Sequence, residues 1–502
     1  MSMSSIMNIK GARRMTTPTV PKTSLTVDNV KAVDKEKQEK QEKQEKQVDK
    51  QEKQVDKQVE KQEKPTRIKV HLETPSTVEE DSIMDRMYKK AGTIIISGYD
   101  KPPCNNFNEM NLPKEILDAI FTKLKWELPS PIQAYGINPV VDGRDLLCQA
   151  QTGTGKTATF LIAGLQKIDN TIRHPQIIVL TPSRELSIQI FNVAKDLTQL
   201  SDITIAGHIG SSSEKDDRGV NYMHNVKPNN ELGYYSVPHY SEQLIIATPG
   251  RFCMLLSKNI INTEHIKLVI LDEADKMLSD GFRSNIISVF SKIHNNVQVA
   301  LYSATVSIDV KEIAKTIMNN PVSILVPNEN VVLDNQNQYC QKVKSEDEKK
   351  EFIKELFESC VIGQTIIFCN RKFKATNLKE YIEQIGITVA CIHSDMEQSE
   401  RNEAMEKFRS EKIKVLIGTD LIARGIDTTV HLVINYDIPI NVDEYIHRIG
   451  RTGRFGKEGS VINIVSDEAD MAIKRICSYY SIHKMSPIRN FYEKGNISKA
   501  IK

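Results

Sequence analysis

The sequence predicts an α/β protein with two tandem domains, each built on a parallel sheet, preceded by a disordered N-terminal tail. Three observations carry that prediction. From about residue 107 onward, short apolar runs alternate with helical patterns, and strands alternating with helices imply parallel sheets. A polar stretch, "PNENVVLDNQNQ" at 327–338, divides the series of runs into two groups. Residues 35–64 repeat "KQE", "KQVD" and "KQVE" with Val48, Val55 and Val59 as their apolar content, too little to fold around. The expected boundaries are a tail over 1–85, a first domain over 86–326, a linker over 327–338 and a second domain over 339–502.

Taken in order, the tail comes first. Its three valines fall at heptad-like spacing, but three small side chains cannot hold a coiled coil. Glu–Lys pairs four residues apart favour a transient helix and nothing more. The first domain then runs through "DLLCQA", "QIIVLT", "LIIAT", "KLVILD", "VALYSAT" and "VSILV". The second runs through "TIIFC", "VACIHSD", "KVLIGTD", "LVINYD" and "SVINIVS". Runs this apolar read as strands buried on both faces. Composition says little about a partner, because Lys+Arg and Asp+Glu are nearly balanced at 67 and 65. Eight cysteines, scattered and without a C-x-x-C pair, argue against zinc or a disulfide framework. No apolar stretch approaches membrane-spanning length and the N-terminus lacks a secretory core, so the expectation is a soluble, intracellular and cytoplasmic protein with no membrane partner.

Two motifs bring in chemistry. "AQTGTGKT", Ala150, Gln151, Thr152, Gly153, Thr154, Gly155, Lys156 and Thr157, follows a strand and opens a helix. Glycines at 153 and 155 let backbone N–H groups turn inward to cradle phosphates, Lys156 reaches the outer phosphates, and the Thr157 hydroxyl can bind magnesium. This is a Walker A loop with alanine in place of its first glycine. "LVILDEADKML" drives a strand into Asp272, Glu273 and Asp275, at the carboxyl end where open parallel sheets place their ligands. Solvated acids at a helix start would be the bland reading. Beside a P-loop, however, Asp272 stands where a magnesium-holding acid is needed, leaving Glu273 to orient or deprotonate water.

With "DEAD" at 272–275 and the further motifs "PSPIQ", "TPSREL", "TPGR", "SAT", "IIFCNRK", "HSDMEQSER", "GTDLIARGID" and "YIHRIGRTGR", the chain resembles the DEAD-box RNA helicases of superfamily 2 over about 107–466. "VINYDIP" and "HRIGRTGRFG" are similar to the translation initiation factor 4A group within it. The resemblance implies two RecA-like domains, ATP and Mg²⁺ as cofactors, and RNA held through its backbone with little sequence preference. It implies that Gln133 recognises adenine and Phe107 stacks on it, with Asp427 at the ribose. Arg451 and Arg454 would reach the γ-phosphate when the domains close. Asp275, Ser303, Thr305 and His447 would link nucleotide state to closure. RNA contacts would come from Pro182, Arg184, Gly210, Thr248, Gly250 and Arg251 in the first domain, and Arg371, Thr419 and Arg424 in the second.

The chain departs from the pattern at several points. Ser394 and Ile209 stand where the family has glycine, the stretch between Phe107 and Trp126 is one residue longer than usual, and 211–241 is a polar inserted loop. That insertion and the tail are the places where protein partners are expected. The implied function is ATP-driven local unwinding of RNA duplexes or remodelling of RNA–protein assemblies. An ATP-gated RNA clamp would use the same residues, whereas a generic P-loop nucleotidase would not need the second-domain motifs.

Overall fold

A computed structural model describes residues 67–71, 93–150, 153–209, 220–224, 242–326, 336–360, 363–423, 429–453, 458–482 and 485–493. The KQE tract, Gln151, Thr152, Gly210, Arg424, Asp427, Arg454 and most of the 211–241 insertion lie outside the described residues. The first sheet contains β1 (Arg67–His71), β2 (Thr93–Ser97), β3 (Leu146–Gln149), β4 (Ile177–Leu180), β5 (Ile205–Ile209), β6 (Val220–His224), β7 (Leu244–Ala247), β8 (Leu268–Leu271), β9 (Gln298–Ser303) and β10 (Val322–Leu325). Their order is β1-β2-β10-β3-β9-β8-β4-β7-β5-β6. The second sheet contains β11 (Gln336–Lys342), β12 (Thr365–Phe368), β13 (Val389–Ile392), β14 (Val415–Gly418), β15 (Leu432–Asn435), β16 (Gly459–Val465) and β17 (Ser486–Pro487). These lie in the order β13-β14-β12-β15-β16-β11-β17, all parallel.

The apolar runs behave as a two-faced strand must. Successive side chains of β8 point to opposite sides, so Leu268 and Ile270 enter one core with Phe160 and Tyr302, while Val269 and Leu271 enter the other with Phe252 and Met277. The second sheet repeats the arrangement, with Ile366 and Phe368 on one face and Ile367 on the other. Burial of each such side chain contributes about 1.5–3 kcal/mol. Both sheets thereby become rigid platforms that end in loops at one edge.

Three expected boundaries move. β1 pairs antiparallel with β2 over Arg67–His71, and β2 pairs antiparallel with β10, so the first sheet begins well before residue 86. The tail boundary at 85 followed charge texture, and a five-residue strand is too short to change that texture. β11 starts at Gln336, inside the stretch expected as linker, because a strand with an alternating polar face reads as loop when only apolar runs are counted. The insertion, expected as a loop throughout, supplies β6, which pairs antiparallel with β5. Among the described residues all eight cysteines are free, no group of three or more metal-ligating side chains gathers, and no helix is long and apolar enough to cross a membrane.

The β1 pairing generates a prediction. A chain starting at Met84 loses β1 and uncovers the outer edge of β2, whereas a chain starting at Pro65 keeps it. The shorter chain should unfold at a midpoint lower by about 2–4 °C, the shift that 1 kcal/mol produces in a domain of this size. Thermal melts of the two truncations followed by circular dichroism check this, and equal midpoints would show that β1 adds nothing.

Candidate functional site

The motifs converge because parallel strands all end on the same edge of the sheet. β3, β9, β8 and β4 are consecutive neighbours, so Ala150, Ser303, Asp272 and Thr181 line up side by side at their carboxyl ends. The ladder continues one step past the strands: the Ala150 N–H donates to the Ser303 carbonyl at 3.0 Å and the Asp272 N–H to the Leu180 carbonyl at 3.0 Å.

After β3 the chain turns through Gly153, at φ +82°, and Gly155, at φ +101°, before the helix Lys156–Leu165. Both glycines occupy conformations that side chains rarely adopt. A second constraint acts on Gly155, since a Cβ there would lie 2.8 Å from Ser130 Oγ and 2.7 Å from Gln133 Nε2. Those two residues cap the helix Pro131–Val141: the Ser130 N–H donates to Gln133 Oε1 at 2.8 Å, and Ser130 Oγ accepts from the Gln133 N–H. Ser130 Oγ also donates to the Thr154 carbonyl at 2.7 Å, and Gln133 Nε2 lies 3.5 Å from the Gly155 carbonyl. One helix cap therefore braces the glycine loop.

Opposite the loop stand the acids. Glu273 adopts φ +52° at the start of the helix Ala274–Ser279 and its N–H donates to Asp272 Oδ1 at 3.0 Å. Its Oε2 is buried with no partner among the described residues. Burial pushes the Asp272 carboxyl up to about 7, with Glu273 and Asp275 adding to the rise while the Lys156 ammonium and the Glu273 N–H oppose it. Lys156 is the cation that acts on the buried Asp272, and it offsets the cost of burial only in part.

Asp275 faces the second sheet. Its N–H donates to Ser303 Oγ at 3.3 Å, and its Oδ2 accepts from Thr305 Oγ1 at 3.2 Å and lies 2.8 Å from His447 Nε2. His447 belongs to the helix Val442–Ile449 and is fully buried. A second bridge joins Arg401 Nη1 to Glu185 Oε1 at 3.5 Å. The helix that presents His447 is itself anchored by Arg448, whose buried guanidinium donates to both oxygens of Asp420 at 2.6 and 3.0 Å, to Asn370 Oδ1 at 2.7 Å and to the Asp437 carbonyl at 2.7 Å. Asp437 is held in turn by Lys349 at 2.6 Å and Lys374 at 3.0 Å.

Known proteins with this arrangement can now be compared. The DEAD/DEAH box helicase family matches residues 130–313, and the helicase conserved C-terminal domain matches 348–456. An ATP-dependent RNA helicase named eIF4A from Meyerozyma guilliermondii is 41% identical over 377 residues, 75% of this chain and 91% of the relative. The chain is a DEAD-box helicase. Eukaryotic initiation factor 4A of Drosophila melanogaster is 40% identical over 81% of this chain and 94% of its own length. Among solved structures, S. cerevisiae Dbp5 bound to RNA and ADP BeF3 superposes with a TM-score of 0.69 at 31% identity, covering 78% of this chain and 99% of that one.

In this helicase Ala150, Gly153, Thr154, Gly155, Lys156, Thr157, Gln133, Asp272, Glu273, Asp275, Ser303, Thr305 and His447 all gather at the edge just described. Arg451 lies fully buried on the turn after the His447 helix, its Nε donating to the His447 carbonyl at 3.3 Å. Pro182, Arg184, Thr248, Gly250 and Arg251 follow β4 and β7, while Arg371 and Thr419 follow β12 and β14 at the corresponding edge of the second sheet. Gly250 has open space where a side chain would stand.

Phe107 departs from expectation. It is fully buried and packs edge-on against Phe121 at 6.3 Å, leaving no ring face open for stacking. The apolar residues around it, Met110, Ile116 and Ile120, make it a core side chain in this conformation. Ser130, Glu185, Arg401 and the partners of Arg448 lie within the quoted motifs, but the sequence assigned them no role. The S-x-x-Q pattern of "SPIQ" was the available signal for Ser130. The others find partners distant in the chain, and no local pattern shows which ones.

The Asp437 pair gives a pH-dependent prediction. Burial alone would raise this carboxyl, but Lys349 and Lys374 outweigh it and hold the folded value below the ordinary one of about 3.9. Its contribution is therefore complete above the unfolded value and disappears as pH falls through the folded one. Asp437→Asn should destabilise the second domain by on the order of 3–5 kcal/mol at neutral pH, leaving Lys349 buried without its counter-charge, and should flatten the acid limb of the stability curve. Urea melts of wild type and variant from neutral to acid pH check both effects.

Proposed function

We propose that this helicase couples ATP hydrolysis to local separation of RNA duplexes or remodelling of RNA–protein assemblies, with Mg²⁺ as the metal. The observation that carries the reading is the shared carboxylate: Asp275, three residues past Asp272, is hydrogen-bonded to His447 of the second domain. A group that senses both the acid cluster and the other domain is what closure coupling requires. The eIF4A relatives are named ATP-dependent RNA helicases, and the Dbp5 neighbour is bound to RNA. The proposed units are a first domain ending near 326 and a second extending to 502, with partner proteins engaging the tail or the 211–241 insertion.

The residues fit a metal-bound nucleotide. Asp272, the Thr157 hydroxyl and the unpartnered Glu273 oxygen supply hard oxygen donors and an acceptor, and the positive-φ turn through Gly153 and Gly155 brings the chain to the N-terminus of the Lys156 helix, where backbone N–H groups suit a phosphate. When bound, magnesium would neutralise charge developing on the phosphates. Gln133 spends one lone pair and one hydrogen on its own cap and on the loop, and keeps one of each for an adenine edge. Lys156 balances phosphate charge. Glu273 orients water through its unpartnered oxygen. Arg451, delivered by the same helix end as His447, supplies positive charge from the other domain. Backbone-directed RNA contacts from Arg184, Thr248, Arg251, Arg371 and Thr419 carry little base information.

The decisive experiment measures ATP turnover with and without RNA beside short-duplex unwinding. RNA-independent turnover would defeat the coupling proposed here. Glu273→Gln should bind ATP and RNA with near wild-type affinity while turnover falls about 100-fold or more, because the charge that activates water is gone; single-turnover kinetics distinguish this from a binding defect. His447→Ala should leave nucleotide affinity within about twofold and lower RNA-stimulated turnover about 10-fold, the effect of one lost charge-assisted hydrogen bond. Unchanged stimulation in that variant would remove Asp275–His447 from the coupling route.

A further inference from the structure

At the end of the first sheet opposite the glycine loop is a cavity of about 460 Å³ lined by Lys167, Lys267, His265, His294 and Gln298, with Glu264 exposed at its rim. Lys267 immediately precedes β8 and Gln298 opens β9, so the cavity lies at the amino ends of the strands whose carboxyl ends carry Asp272 and Ser303. It cannot be part of the P-loop site.

The charge arrangement here is unusual. Two half-buried lysines are brought together: Lys267 Nζ donates to the Lys167 carbonyl at 3.1 Å, and Lys167 Nζ donates to the Val140 carbonyl at 3.3 Å. Among the described residues neither ammonium has a carboxylate within ion-pair distance. The acids that act on them from farther away are committed elsewhere. Asp142 accepts from Tyr99 at 2.6 Å and Lys101 at 2.7 Å, and Asp169 accepts from the Thr171 hydroxyl at 2.6 Å and its N–H at 2.9 Å. Each ammonium has three hydrogens and uses one on a carbonyl. Like charges held together at a half-buried site are unfavourable unless an anion joins them. In agreement, burial and then the Lys267 charge lower the Lys167 value, against a weaker pull from Asp142.

Gln298 forms part of the wall behind the lysines. Its side chain is almost wholly buried in the cavity wall and its Nε2 donates to the Val140 and Arg144 carbonyls, but its Oε1 is buried with no partner among the described residues. The Gln298 side chain is thus fixed as part of the wall, and the unused donors of the site are those of the two lysines. We propose that this cavity binds a phosphate group, as in inorganic phosphate or a phosphate monoester, with Lys167 and Lys267 on its charged oxygens. This is a second anion site, independent of the nucleotide reading above.

The test uses the full chain carrying Lys156→Ala to silence the P-loop, titrated with inorganic phosphate and, separately, with a phosphoserine peptide, each followed by ³¹P NMR. Saturable binding is expected. It should weaken roughly tenfold or more when Lys167→Gln and Lys267→Gln are added, because two charge-assisted hydrogen bonds are lost, and it should survive Lys267→Arg. Circular dichroism melts verify folding, and if the double variant fails to fold, Lys267→Gln alone serves as the comparison. Tighter binding of the peptide identifies a phosphorylated protein as the source, and equal or weaker binding identifies a small anion. Absence of saturable binding, or phosphate affinity unchanged in the glutamine variants, overturns the site.

Discussion

The structure turns on a single buried carboxylate. Asp275 is positioned by the Ser303 and Thr305 hydroxyls of its own domain and is met at 2.8 Å by His447 of the other. A carboxylate removed from water is costly unless its oxygens are satisfied. The arrangement of the second domain against the first supplies part of that satisfaction. The second domain thus meets the first at a point three residues from Asp272, through a group of the acid cluster itself.

The His447 side of that contact is held firmly. Its helix is fixed by Arg448, which spends its guanidinium on Asp420, Asn370 and the Asp437 carbonyl and lies over the Phe368 ring at 5.4 Å. A buried arginine with satisfied donors behaves as a rigid strut. His447 and Arg451 are therefore delivered together. The first domain achieves the same rigidity by different means, with the Ser130–Gln133 cap bracing the glycine loop from the side.

Much of this was legible in the sequence because it is local. Apolar runs in β3, β4, β8 and β12 announce strands buried on both faces, and contiguous motifs place Lys156, Asp272 and His447 at strand or helix ends. Less legible were features that depend on pairing at a distance. β1 is five residues beside a charge-dense tract, and only its ladder to β2 reveals it. Phe107 carries no sequence mark that tells a buried ring from a stacking one; its burial is decided by Phe121 and the helices packed around it. Arg401 and Glu185 lie in different domains, so no local pattern could join them.

The antiparallel pairing of β2 with β10 also sets an order for making the protein. β2 emerges early in synthesis, but the strand that pairs it into the parallel sheet is the last of the first domain to appear. Ile94 and Ile96, buried in the finished sheet, can pair with β1 on one side but must wait with the other edge open while the whole nucleotide-site edge is translated. Such non-local closure is slow and leaves a strand edge open to other chains. A newly made chain is therefore most in need of protection from neighbouring chains until β10 has left the ribosome.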